Sequence, residues 1–218
     1  MYAGGVSAEV GLRERKKVQT RGLIGDAAHR LFLERGFEAV TVAEVAREAD
    51  VSEATVFNYF PTKEDLFFGG MVAFEAELVE AVRTRPAGES VPAAFRRFVL
   101  ERSRRLAAEE VADVVATTAR IVTSSPALRA REREIVARYT DELAALVAEE
   151  TGRSAADVEP WAVANALMGV QRALVRFVRA SVLGGTRGTR LATGVRAQAE
   201  TAFSLLDRGL AGYGAQPV

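Results

Sequence analysis

The chain contains no cysteine and a single histidine, His29, among its 218 residues. Those absences exclude a disulfide framework, a thiolate metal centre, a cysteine nucleophile and a His-rich metal cluster, so no metal and no cofactor is expected. An excess of charge is missing too: 29 Lys and Arg balance 29 Asp and Glu. Any charged partner must therefore be met by a local patch and not by a net field. Long uninterrupted apolar runs are absent. The most apolar stretch, Trp161 to Leu183, carries Gln171, Arg172, Arg176 and Arg179, each of them costly in hydrocarbon, and reads as a helix in water. The start, MYAGGVSAEVGLRERKK, lacks the apolar core of a signal peptide and puts its basic residues after the small ones. A cytoplasmic protein with no membrane partner is the expectation.

Strand-type alternation does not persist anywhere, and no repeat of 20 to 50 residues is visible. Ala, Leu, Glu and Arg dominate, and the six prolines fall mostly between periodic segments, which predicts an all-α fold of about nine helices. The first runs from Arg13 to Arg35, with Leu23, Ala27 and Leu31 beside Ile24, Ala28 and Phe32 at helical spacing and Gly36 as its stop. Thr41, with Glu44 three residues on, forms a capping box for a short helix to Ala49 whose inward face is Val42, Val45, Ala46 and Ala49. Asp50 to Ser52 leaves room only for a tight turn, and Ser52 caps a third helix through Tyr59. Two short helices on a three-residue turn make a helix-turn-helix. Thr62 caps a fourth helix expected to run unbroken to Arg83. Further helices are expected over 93–108, 110–123, 127–150, 157–183 and 190–209. The domain expectation is a helix-turn-helix unit over 1–65, with 1–12 disordered, and a larger helical unit over 66–218.

The stretch VSEATVFNYF, Val51 to Phe60, divides by helical spacing. Val51, Val56 and Phe60 turn inward, Ser52 starts the helix, and Glu53, Ala54, Thr55 and Asn58 lie elsewhere around the axis. Phe57 and Tyr59 cannot share the face of Phe60 and flank the helix at its surface. A helix-turn-helix corner alone is weak grounds for DNA binding, since many helical domains contain one.

The longer segment TVAEVAREADVSEATVFNYFPTKEDLF, Thr41 to Phe67, resembles the DNA-binding signature of TetR-family transcriptional regulators. That signature is a Thr, a short helix ending Ala-Gly-Val-Ser, then Leu-Tyr-x-Tyr-Phe and a Lys three residues further on. Thr41, Ala49, Val51, Ser52, Tyr59, Phe60 and Lys63 match it. Asp50 stands in place of the usual turn glycine, Val56 in place of Leu, and Phe57 in place of the first Tyr. Asp enters the left-handed region more readily than most residues. Phe57 lacks the hydroxyl that commonly reaches a DNA phosphate in the family. Beyond Phe67 the resemblance is one of architecture.

The resemblance implies that the third helix enters the major groove of double-stranded DNA. Glu53, Ala54, Thr55 and Asn58 are then the candidate base readers: Asn58 pairing with adenine, Glu53 accepting from a cytosine amino group, Ala54 meeting a thymine methyl. The bland alternative for Glu53 and Thr55 is a first-turn carboxylate and a filler. Thr41, Ser52, Tyr59 and Lys63 are candidates for phosphate contacts, while Phe57 is left an apolar contact to sugar or a thymine methyl. Residues 1–65 hold nine Lys or Arg against eleven Asp or Glu, yet Arg13, Arg15, Lys16, Lys17 and Arg21 face only Glu14. This basic start, Lys16 and Lys17 in particular, either sits over phosphates or is a solvated helix end.

For the larger unit the resemblance implies a small-molecule effector and a homodimer through the last two helices. Phe95, Phe98, Arg120, Tyr139, Trp161, Asn165 and Met168 are the candidate effector-pocket residues, with ordinary core as the alternative for each aromatic; few buried-type charges suggest a mainly apolar effector. Val170, Phe177, Leu191, Val195, Ala202 and Leu206 are the candidate dimer contacts. The whole reads as a ligand-responsive regulator, most simply a repressor released from a pseudo-palindromic operator. Its rival is a helical dimeric interaction module that has lost specific DNA binding. An enzyme is disfavoured: no Ser, His and Asp set or carboxylate pair stands out, and GGTRGT lacks phosphate-loop spacing.

Overall fold

The structure is a computed structural model and describes residues 6–154 and 156–210. Among the described residues it holds ten α-helices, one 3-10 turn and no strand. No helix among them is long and apolar enough to cross a membrane. The chain divides into two compact units, Met1–Met71 and Val72–Val218.

The first unit is built from α1 (Val6–Arg35), α2 (Val42–Glu48), α3 (Glu53–Tyr59) and α4 (Lys63–Phe67). Helix α1 begins at Val6, where disorder to residue 12 was expected; residues 1–5 lie outside the described ones. Its inward stripe is Ile24, Ala28 and Phe32, with Ala27 beside them, whereas Leu23 of the expected stripe is 53% exposed. Phe32, Phe37 and Phe67 meet with ring centroids 5.4 to 5.8 Å apart, and Phe68 packs edge-on to Phe67 at 5.1 Å. Val40, Val45, Ala46, Val56, Phe60 and Leu66 are buried with them.

Three short helices cannot persist on local propensity, and each is fixed at its start by a side chain. The Thr41 hydroxyl accepts from Glu44 N–H at 3.2 Å, and Thr41 N–H donates to the Glu44 carboxylate at 2.8 Å. That backbone bond, with the Arg35 guanidinium, holds the Glu44 carboxyl down at about 2. Ser52 accepts from Thr55 N–H at 3.1 Å, and Thr62 with Asp65 forms a second capping box. Each such cap contributes about 1 kcal/mol.

The expected continuous fourth helix is instead two. Helix α4 closes at Phe68, and α5 (Gly69–Arg83) starts on the Gly69-Gly70 pair. Adjacent glycines raise the entropic cost of propagating a helix, and burying Phe68 favours the break.

The second unit continues with α6 (Val91–Ser103), the 3-10 turn Arg104–Ala107, α7 (Glu109–Ser124), α8 (Pro126–Thr151), α9 (Val158–Leu183) and α10 (Gly188–Leu210). Ser90 and Ser125 cap α6 and α8, each ahead of a first-turn proline, and Gly152 ends α8 in the left-handed region at φ 63. Helix α9 is central, packing against α8, α10 and α7. The Arg85 side chain is fully buried and ties the α5–α6 loop to α8: it donates to the carbonyls of Val82 and Glu89 and to the Glu150 carboxylate, each at 2.9 Å. Arg179 of α9 pairs with Glu132 of α8, and Arg187 reaches Asp113 of α7 at 2.8 Å.

Candidate nucleic-acid interface

The turn between α2 and α3 closes with a paired hydrogen-bond pattern. Val51 N–H donates to Ala46 C=O at 2.9 Å and Asp50 N–H to Arg47 C=O at 3.2 Å. This is a Schellman closure, and it requires a left-handed residue between the two helices. Asp50 takes that place at φ 53, the one non-glycine positive φ among the described residues. Its substitution for the usual glycine thus leaves the turn intact.

Helix α3 is held at both ends and along one face. Val56 and Phe60 are buried beneath it. At its C-terminus, Arg21 of α1 donates to the Tyr59 carbonyl at 2.8 Å and lays its guanidinium over the Phe60 ring, 4.4 Å from the centroid. A cation there suits the negative end of the helix dipole. In the sequence Arg21 belongs to the basic start of α1, and its stacking over Phe60 is not legible there, because nothing in sequence spacing brings residue 21 to residue 60.

The outward face presents Glu53, Ala54, Phe57 and Asn58, all exposed, with Phe57 46% accessible. Seven residues span about 10 Å, enough to cross about three base pairs. An amide, a carboxylate, a methyl and an aromatic edge side by side supply donor, acceptor and apolar contact at once. Thr55 differs. It is half-buried, and its hydroxyl lies 2.8 Å from that of Ser52, so both hydroxyls already serve the cap. The Thr41 hydroxyl is likewise engaged with Glu44 at 2.9 Å. Tyr59 and Lys63 are half-buried at the rim, and the Lys63 ammonium sits 4.3 Å from the Phe37 centroid. The ring face holds the ammonium of Lys63 in place at the rim of the helix. Lys16 and Lys17 are exposed on α1, as are Arg13 and Arg15.

Comparison with known proteins bears on this arrangement directly. Residues 24–69 match the profile described as "Bacterial regulatory proteins, tetR family", and residues 89–183 match the "MftR C-terminal domain". Together the two take in more than half of the chain. The chain belongs to the TetR family. Among curated relatives of this TetR-family chain, the HTH-type transcriptional regulator TcmR of Streptomyces glaucescens is 36% identical over 80 residues, which cover 37% of this chain and 35% of TcmR. The chain therefore spans only about a third of that relative. The putative mycofactocin biosynthesis transcriptional regulator MftR of Mycobacterium tuberculosis is 26% identical over 167 residues, covering 72% of this chain and 78% of MftR. In fold, the chain resembles Thermus thermophilus FadR, solved with lauroyl-CoA, at TM-score 0.54 and 23% identity, over 87% of this chain and 94% of that one.

The remaining TetR-family expectations fall in the second unit, and the structure spreads them. Phe95 is core, facing Phe203 at 6.1 Å; Met168 is buried; Phe98 is half-buried against Phe74 at 5.3 Å. Tyr139 is buried and donates its hydroxyl to the Val72 carbonyl at 3.0 Å. Arg120 is exposed on α7, and Trp161 is 55% exposed in the first turn of α9, where its backbone carbonyl accepts from the Asn165 amide at 2.9 Å. The seven are not gathered around one enclosed space: Arg120 and Trp161 face outward.

Of the expected dimer contacts, Leu191, Val195 and Val170 are spent inside the chain. Leu191 and Val195 are buried inside the chain with Ala112, Ala116 and Ala119 of α7 and Val182 of α9, and Phe177 packs against the same cluster. Val170 is buried as well, and Ala202 and Leu206 are half-buried. A helix of this kind has two apolar stripes, and spacing alone does not say which is spent internally. The outward stripe is Ala173, Arg176, Ala180 and Leu183 on α9 and Thr193, Ala197, Thr201 and Leu205 on α10, with Leu205 74% exposed. One further buried group, Glu75 of α5, has little sequence signal: it is the acid on a helix face otherwise made of Val72, Leu78, Val79 and Val82, while Glu77 and Glu80 lie off that face.

Proposed function

We propose that this protein is an effector-responsive repressor that binds a pseudo-palindromic operator as a homodimer in the cytoplasm. The observation that carries the reading is the exposed set Glu53, Ala54, Phe57 and Asn58 on a helix clamped by Ser52 and Arg21. A clamped helix enters the major groove without first being ordered, so its contacts go into recognition. Asn58 reads adenine, Phe57 packs on a thymine methyl or sugar, and Lys63, Lys16 and Lys17 set register on phosphates. Thr41, Ser52 and Thr55 support the reading helix through their caps.

The homodimer forms through the outward stripes of α9 and α10, whose small residues let helices approach closely. Two-fold symmetry then presents two copies of α3 to two half-sites. The effector binds within the second unit and is mainly apolar; that a protein of this fold, Thermus thermophilus FadR, was solved with lauroyl-CoA supports the capacity. An effector that prefers the geometry unable to bind DNA weakens operator binding by the same coupling energy.

The test is selection from random duplex DNA with the full chain. A pseudo-palindrome should be enriched. Lys63→Ala should weaken all sites alike and lessen the salt dependence, whereas Asn58→Ala should relax preference at one position per half-site. Failure to enrich any two-fold site would reject operator binding.

A further inference from the structure

Glu75 lies in the second turn of α5, one turn after Val72, on the face that carries the buried Leu78, Val79 and Val82. It is 4% exposed, and its Oε2 receives no hydrogen bond from any described residue. A carboxylate so placed is costly unless something offsets it. The surrounding groups offset it only in part. Arg138 of α8 is set against Glu142, 4.0 Å away, and half of its side chain is in solvent. Glu132 is taken by Arg179. Tyr139 spends its hydroxyl on the Val72 carbonyl. Glu150, by contrast, is matched by the buried Arg85.

We propose that Glu75 is the polar anchor of the effector site, and that the effector is an amphiphile with an apolar chain and an ammonium end. This rests on the reading of the second unit as effector-binding and names the class of ligand. An ammonium supplies donors to the bare oxygen and a positive charge beyond the part that Arg138, shared with Glu142 and solvent, provides; an alcohol supplies only the first, and a carboxylate neither. Burial pushes the Glu75 carboxyl up to about 7, with Arg138 opposing and Glu132 and Glu142 reinforcing the shift, as befits a charge only partly compensated. Placement adds a route to the DNA-binding unit: Glu75 stands in the helix that follows directly on α4 through Phe68.

The experiment is calorimetric titration of the full-length protein at about pH 8 with decylamine, decanol and decanoate, each below its micelle concentration. Decylamine should bind at least about tenfold more tightly than decanoate. Glu75→Gln should abolish that preference and leave decanol within about twofold. In the unmutated protein, decylamine affinity should also rise with pH through about 7, a measurement independent of any variant. If decanol or decanoate binds as well as decylamine, effector binding stands and the ammonium anchor falls. If the preference survives in Glu75→Gln, the anchor is elsewhere and the proposal is overturned; if none of the three binds, both readings fail.

Discussion

Replacing Glu75 with Gln should convert a pH-dependent stability into a flatter one. The side chain keeps its shape and loses its charge. In the folded protein the carboxyl is raised from the usual 4.5 to about 7, because burial disfavours the ionised form. The folded state therefore holds this proton more tightly than the unfolded chain. Its contribution is fully present below about pH 4.5 and is lost as pH rises through about 7. At 1.36 kcal/mol per pH unit, the loss is at most ~3 kcal/mol between about pH 4.5 and pH 8. Other shifted groups titrate outside this window: Glu44 and Glu89 are lowered, and Tyr139 and Arg97 are raised. Urea unfolding followed by circular dichroism, at one protein concentration and at about pH 5, 7 and 8.5, measures the difference. Glu75→Gln should match or fall slightly below the parent at the lowest pH and exceed it by about 2 to 3 kcal/mol at the highest. A gap between the two proteins that stays constant across these pH values would refute the reasoning.

Four other substitutions follow from geometry already described. Asp50→Gly relieves a non-glycine residue from the left-handed region and should raise stability by about 0.5 to 1 kcal/mol with operator recognition unchanged, read by thermal unfolding and a DNA titration. Arg85→Met removes three hydrogen bonds from a fully buried guanidinium and should cost about 3 kcal/mol, read by urea unfolding; a loss under about 1 kcal/mol would show the staple to be incidental. Leu205→Glu places a charge on the outward stripe of α10 and should shift the protein from dimer to monomer by light scattering, while the same change at the half-buried Leu206 should instead lower the stability of the chain itself.

Where the sequence was legible, short-range chemistry made it so. Thr41 with Glu44, Ser52 with Thr55, and Thr62 fix helix starts within three residues, and the structure has those caps in place. Asp50 was readable as a left-handed residue for the same reason. The α4–α5 break was missed because Lys63 to Arg83 keeps a helical pattern, and the decision rested on Phe68 and two glycines. Leu191 and Val195 were assigned to a dimer because a stripe carries no label for the surface it meets; α7 meets it first. Arg21 and Glu75 depend on partners 38 or more residues away or on the lack of one, and periodicity records neither.

The clamp on α3 has a consequence for how such proteins diverge. Because Arg21 grips the Tyr59 carbonyl from another helix, the pitch of the reading helix is set partly by a residue that need touch no base. Two descendants with identical letters from Glu53 to Tyr59 could come to prefer different operators after a change at position 21. A screen for altered-specificity alleles should therefore not be confined to the recognition helix, and comparing recognition helices alone would undercount the ways this lineage can acquire new targets.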